Sequence, residues 1–214
     1  MLRWNFDPLA LAVLVVLAIW AVRSQSGWAA VVVLAFAFLS PLCALSSALF
    51  SARVVHHVLL VVVAAPLLSL ARPARAGSGV AMPFVLATSV LWLWHIPYAY
   101  DAALGHMGLY WGMQASLFGT AVWFWRAAFS QPDGSGAGWV FLAYLAMGML
   151  GALLTFAPSA LYVTHATAPL SWGLAPLQDQ QLGGLIMWMP SGLLFGVWGA
   201  MLARRAWRGM GEAT

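Results

Sequence analysis

Charge is what this chain has least of. Only 7% of its 214 residues are Asp, Glu, Lys or Arg, against about a quarter in ordinary soluble domains. A soluble fold needs a charged shell, and this composition cannot build one. With 64% hydrophobic residues and a mean hydropathy of +0.90, the solvent of the chain is lipid. Cysteine is nearly absent. Cys43 stands alone, which excludes an intramolecular disulfide and any cysteine-based metal motif, and it reads as a small buried hydrophobe. Catalytic patterns are missing too: there is no Ser-His-Asp spacing, no paired Glu and no glycine-rich phosphate loop, so the chain is not expected to be an enzyme. No basic patch is interleaved with aromatics. A nucleic-acid partner is therefore excluded, despite a net charge of +4 and a pI near 9.8.

Long apolar runs are present instead. Crossing a hydrocarbon core of ~30 Å takes roughly 20 residues. Seven runs qualify: Phe6–Val22, Trp28–Phe50, Val54–Leu70, Pro83–Tyr98, Met107–Trp125, Trp139–Phe156 and Leu182–Leu202. The first and fourth are short, so six is the rival count. No small-residue cleavage motif follows the first run, which reads as a retained span rather than a signal peptide. The expected fold is all-α: one polytopic membrane bundle over residues 1–214, with no soluble extension. Trp4, Trp28, Trp94, Trp111, Trp125, Trp139 and Trp172 fall near span ends, as in an interfacial aromatic belt.

The arginines give the bundle a direction. With seven spans, those at 23, 72, 75, 126, 204, 205 and 208 share one side. Arg3 and Arg53 lie on the other, with Asp7, Asp101 and Asp179. The positive-inside rule then puts the N-terminus outside and the C-terminus in the cytoplasm. All five histidines fall on the outer side: His56 and His57 early in span three, His95 late in span four, and His106 and His165 in outer links. The outer segment from Pro158 to Gln178 is long enough to be functional or a partner surface.

Ionisable groups at bilayer depth are costly and are usually paired or functional. Several converge here from spans three, four and seven, which implies an outward-facing polar pocket. Its expected members are Arg53, His56, His57, His95, Asp101, Asp179 and Gln180. On span seven, Asp179, Gly183, Met187 and Pro190 recur at helical spacing on one face, with Asp179 capping the helix start and free to bridge to His57, Arg53 or His95. Imidazole and thioether are copper ligands, thioether especially of Cu(I). His57, His95, Met187 and Asp179 are thus the candidate metal set. His57 and His95 could instead hold a haem iron from both faces. A small-cation transporter is a third reading, but no polar path continues inward beyond Ser69, Thr88 and Ser89.

Four stretches carry a family resemblance: FLSPLCALSSALFSARVVHHVLLVVVAAPLL (38–68), LWLWHIPYAYDAAL (91–104), LGALLTFAPSALY (150–162) and DQQLGGLIMWMPSGLLF (179–195). The chain resembles the CtaG family of membrane proteins associated with cytochrome c oxidase assembly. The resemblance implies a multi-span protein of the bacterial inner (plasma) membrane that matures a haem-copper oxidase, with oxidase subunits or other assembly factors as partners and metal delivery as its task. His95, Asp101, Asp179, Gln180, Gly183, Met187 and Trp188 match the family blocks. His57 matches the second histidine of an HMxxHxxL-like pattern, while Arg53 stands where the first would be and His56 is an added neighbour. The stretch YWGMQASLF carries Tyr110, Met113 and Gln114 where the family tends to carry further histidines.

Overall fold

The computed structural model describes residues 4–21, 24–72, 74–76 and 79–211; Arg3 and Arg23 of the charge count, and Val22 at the end of the first predicted span, lie outside them. Every regular element described is helical. In chain order these are α1 (Pro8–Ala21), α2 (Gln25–Leu39), α3 (Pro41–Ala48), α4 (Phe50–Ala71), α5 (Ala81–Leu93), α6 (Pro97–Gly105), α7 (Met107–Phe129), α8 (Ser135–Phe156) and α9 (Pro176–Gly211). This is a helical membrane protein. Among the described residues α4, α8 and α9 are each long and apolar enough to cross a bilayer, and the bent pairs α2–α3 and α5–α6 bring the number to five. Helix α1 has only 14 residues, and α7 has 23 but is diluted by Gln114, Ser116, Thr120 and Arg126.

The bends correct two predicted spans. The second, drawn unbroken over Trp28–Phe50, turns by 53° at Ser40. Pro41 cannot donate to the ladder of α2 and so opens a new helix, whose Leu42 N–H the Ser40 hydroxyl accepts at 3.2 Å. The fourth turns by 77° between α5 and α6, where Pro97 occupies the first turn of α6. His95 sits in that break.

Helix α4 starts at Phe50, a turn earlier than the sequence suggests, and widens to a π-helix over Leu59–Ala64. Pro66 explains the widening, because it lacks the N–H that would reach the Val62 carbonyl. The Ala65 N–H bonds Leu60 five residues back. Two indoles then take the freed carbonyls: Trp125 Nε1 donates to Val61 at 2.8 Å and Trp198 Nε1 to Val62 at 2.9 Å. Trp125 is therefore a core residue, 1% exposed, and not part of an interfacial belt.

Glycines let α9 press against its neighbours. A Cβ on Gly184 would lie 2.6 Å from the Gly151 carbonyl of α8, and one on Gly183 would lie 2.5 Å from the Phe50 ring of α4. Lipid offers no hydrophobic drive between helices, so such close backbone approach is how they hold together. Asp179, Gly183 and Met187 share the packed face of α9 as expected, but Pro190 is exposed and Ser191 continues the buried face in its place.

The helices alternate between two ends. One gathers the starts of α4, α7 and α9, the break before α6, and the segment 157–175. The other gathers the last turns of α4, α7 and α9, with Arg72, Arg126, Arg204, Arg205 and Arg208. A polar end thus faces a basic end across the apolar core.

Candidate functional site

At the polar end the carboxylates are spent on backbone. Asp179 lies one turn inside α9, fully buried, and its carboxylate caps a different helix from the one expected. It accepts from Phe50 N at 2.6 Å, Ser51 N at 3.1 Å and the Ser51 hydroxyl at 2.5 Å, supplying the cap that Leu49 cannot give α4. The start of α9 is served by Gln178, which accepts from Ala175 N at 2.9 Å in the manner of a capping box. Asp101 likewise serves another segment: it accepts from Val163 N, Thr164 N and the Thr164 hydroxyl, all within 3.1 Å. Gln180 accepts from Leu161 N at 2.7 Å and donates to the Leu154 and Ser159 carbonyls.

Asp101 and Gln180 clamp the segment 157–175 over the bundle, and an aromatic group locks it. Phe50 stacks on Tyr162 with centroids 4.7 Å apart, and Tyr162 donates to the His95 carbonyl at 3.0 Å. The His165 ring lies between Ala48 O at 3.1 Å and the Tyr100 hydroxyl at 2.7 Å. A carbonyl only accepts, so Nδ1 of His165 carries the proton and Nε2 receives the Tyr100 O–H. Burial holds the His165 pKa below its ordinary value and pushes that of Tyr162 up, so both stay neutral at pH 7. The long loop of the sequence is thus an ordered cover. Tyr100 and Phe50 were not foreseen as its partners, nor Ser51 as a partner of Asp179.

Under this cover lie the groups without partners. His57 on α4 and His95 at the α5–α6 break meet edge to face with ring centroids 5.4 Å apart. His95 Nδ1 lies 2.7 Å from the Leu91 carbonyl and must therefore donate to it, which leaves the lone pair on Nε2. His57 Nε2 is buried without a partner, as are both ring nitrogens of His56, which packs edge-on against Phe38 at 4.9 Å. Arg53 is 4% exposed; its guanidinium lies 5.1 Å from the Tyr110 ring centroid, beside the Tyr100 and Tyr110 hydroxyls but outside good hydrogen-bond geometry, and no carboxylate pairs with it.

The remaining candidates stand apart from this pair. Met187 is fully buried in the apolar core with Met147, Leu150 and Val54. Trp188 lines a groove on the α8–α9 surface with Tyr144 and Gly192, its indole N–H unpartnered. His106 is exposed ahead of α7. Among the described residues no three His, Cys, Asp or Glu converge to hold a metal ion. The structure brings together two imidazoles rather than a four-ligand set.

A family model described as "Cytochrome c oxidase caa3 assembly factor (Caa3_CtaG)" matches residues 17–209. The chain belongs to this family. Membership places this CtaG-family chain among the assembly factors of cytochrome c oxidase and accords with its helical membrane architecture. No curated protein and no solved structure matches it.

Proposed function

We propose that this CtaG-family chain crosses the membrane seven times, presents its polar end to the outside, and there passes Cu(I) to an oxidase subunit during maturation of a metal centre. It acts as a carrier and needs no catalytic step. The arginines of the basic end support this orientation through the positive-inside rule, which puts that end in the cytoplasm of a bacterial inner membrane.

The observation that carries the proposal is the His57–His95 pair. Two neutral nitrogens with free lone pairs suit Cu(I), which accepts low coordination; zinc asks for four ligands. Two metal–nitrogen bonds of ~2.0 Å together with two ring radii of roughly 1.1 Å span about 6 Å when collinear. The observed 5.4 Å lies inside that span, and because the rings meet edge to face, one imidazole has to turn about its side-chain bonds before both nitrogens point at one ion. A bis-imidazole haem iron spans the same distance, but its macrocycle would have to part the segments packed around both buried rings, which favours a single ion over haem. Copper is cargo here, written as what the site receives and releases.

The test replaces both histidines, His57→Ala with His95→Ala. The variant, purified after Cu(I) loading, is expected to lose bound copper, and cells carrying it as their only copy are expected to lose oxidase activity. Equal copper in variant and wild type, or none in either, would overturn the ligand assignment.

A further inference from the structure

Arg53 precedes His57 by four residues on α4, so the two share a helix face about 6 Å apart. A guanidinium does not deprotonate in proteins, and this one is buried with no carboxylate paired to it, resting against the Tyr110 ring beside the Tyr100 and Tyr110 hydroxyls. The carboxylate of Asp179 does not cancel it at the imidazoles. That group is held at Phe50 N and Ser51 N, six to seven residues before His57 and thus ~10 Å along the helix axis. The nearest fixed charge to the imidazole pair is therefore positive.

We infer that Arg53 sets how weakly the His57–His95 pair holds a cation, keeping the site exchangeable. The inference rests on the Cu(I) reading proposed above. Two unit charges separated by roughly 6–10 Å, at an effective dielectric near 20, shift a binding equilibrium by roughly 15- to 100-fold. Arg53→Gln removes the charge and keeps a polar side chain, so Cu(I) binds at least about 10-fold tighter and leaves more slowly. Arg53→Lys keeps the charge and stays near wild type. A purely structural role would act in the opposite sense, because loosening α4 would separate the rings and weaken binding.

The experiment is a Cu(I) titration of the full chain in detergent micelles against a chromophoric chelator. It compares wild type, Arg53→Gln, Arg53→Lys and the His57→Ala/His95→Ala double variant, with thermal unfolding checking that each is folded. Tighter binding by folded Arg53→Gln, with Arg53→Lys unchanged, supports the inference. Wild-type affinity that depends on the histidines but is equal or weaker in folded Arg53→Gln overturns the role of Arg53 alone. Binding that survives the double histidine change overturns the reading of the pair, and the role of Arg53 with it.

Discussion

Asp179 offers the sharpest test of how the polar end is built. Asp179→Ala removes three hydrogen bonds to a fully buried carboxylate and leaves the N–H groups of Phe50 and Ser51 buried without acceptors. Hydrogen bonds to a charged group contribute ~1.5–3 kcal/mol each, and an orphaned buried donor costs about 1–3 kcal/mol. These terms overlap, and losing the carboxylate also removes its own desolvation penalty. A net loss of about 4 kcal/mol follows, above the roughly 0.5–2 kcal/mol of ordinary helix-cap deletions because three buried bonds are lost at once and nothing else can serve the start of α4. Asp179→Asn keeps one acceptor oxygen but turns an amide N–H toward donors, so about half that loss is expected. The assay is unfolding of the purified chain in mixed micelles of increasing denaturing-detergent fraction, followed by tryptophan fluorescence. Cu(I) affinity of the folded Asp179→Asn protein should fall by no more than about 15-fold, the effect of one unit charge ~10 Å away at an effective dielectric near 20, because the carboxylate faces backbone donors and not the imidazoles. Near wild-type stability combined with lost copper binding would show that Asp179 is a ligand and refute the capping argument.

Three further outcomes follow from the packing and the cover. Gly184→Ala should destabilise more than Gly183→Ala, by about 3 against about 1–2 kcal/mol in the same unfolding assay. The added methyl meets the Gly151 and Thr155 backbone at Gly184 but mainly a side-chain ring at Gly183; the reverse order would refute it. The docked cover should loosen in mild acid. The His165 pKa is depressed by burial, so its contribution is complete above the unfolded value of about 6.5 and is lost as pH falls below it. Proteolysis or hydrogen exchange of residues 157–175 should therefore quicken between pH 7.5 and 5, and His165→Gln should flatten that change; a flat wild-type profile would count against it. Trp198→Phe removes the donor to the Val62 carbonyl while keeping an aromatic ring, and should cost about 1–2 kcal/mol in the unfolding assay.

Much of the architecture is legible in the sequence because its causes are local. Apolar runs mark the helices, and the arginine positions separate one end of the bundle from the other. Ser40-Pro41 and Ile96-Pro97 also carry the bends, since a proline starts a helix more readily than it continues one; the apolar runs passing through them hide the signal. The π-helix is half legible. Pro66 requires some disturbance of α4, but which indoles would fill the gap depends on residues far along the chain. The least legible feature is where the acids go. Asp179 reaches a helix start 128–129 residues away, and Asp101 reaches a loop 62–63 residues away. A carboxylate near the start of its own helix looks locally like that helix's cap, and only tertiary contact distinguishes the two. The nearness of His57 and His95 was legible from depth alone, because adjacent antiparallel spans place equal depths side by side.

The fate of the acids explains what kind of site this end can be. Asp7 accepts from Leu9 N and Ala10 N, Asp101 from the cover, and Asp179 from α4, so each carboxylate at the polar end is bound to backbone N–H groups. A tight divalent site would need those oxygens turned inward, and turning them would release the α4 cap and the cover. Imidazoles are left as the free donors, the His57–His95 pair with His56 next to it in sequence, and Arg53 lies on the same helix face as His57. Under the proposed reading such a set holds a soft monovalent ion briefly and a divalent ion poorly. A store for metal would be built the other way round, with carboxylates inward and the cation removed. An assembly factor has to surrender what it carries, and under the proposed reading the capping acids and the buried guanidinium serve that same end: they keep the cover rigid while keeping the cargo loose.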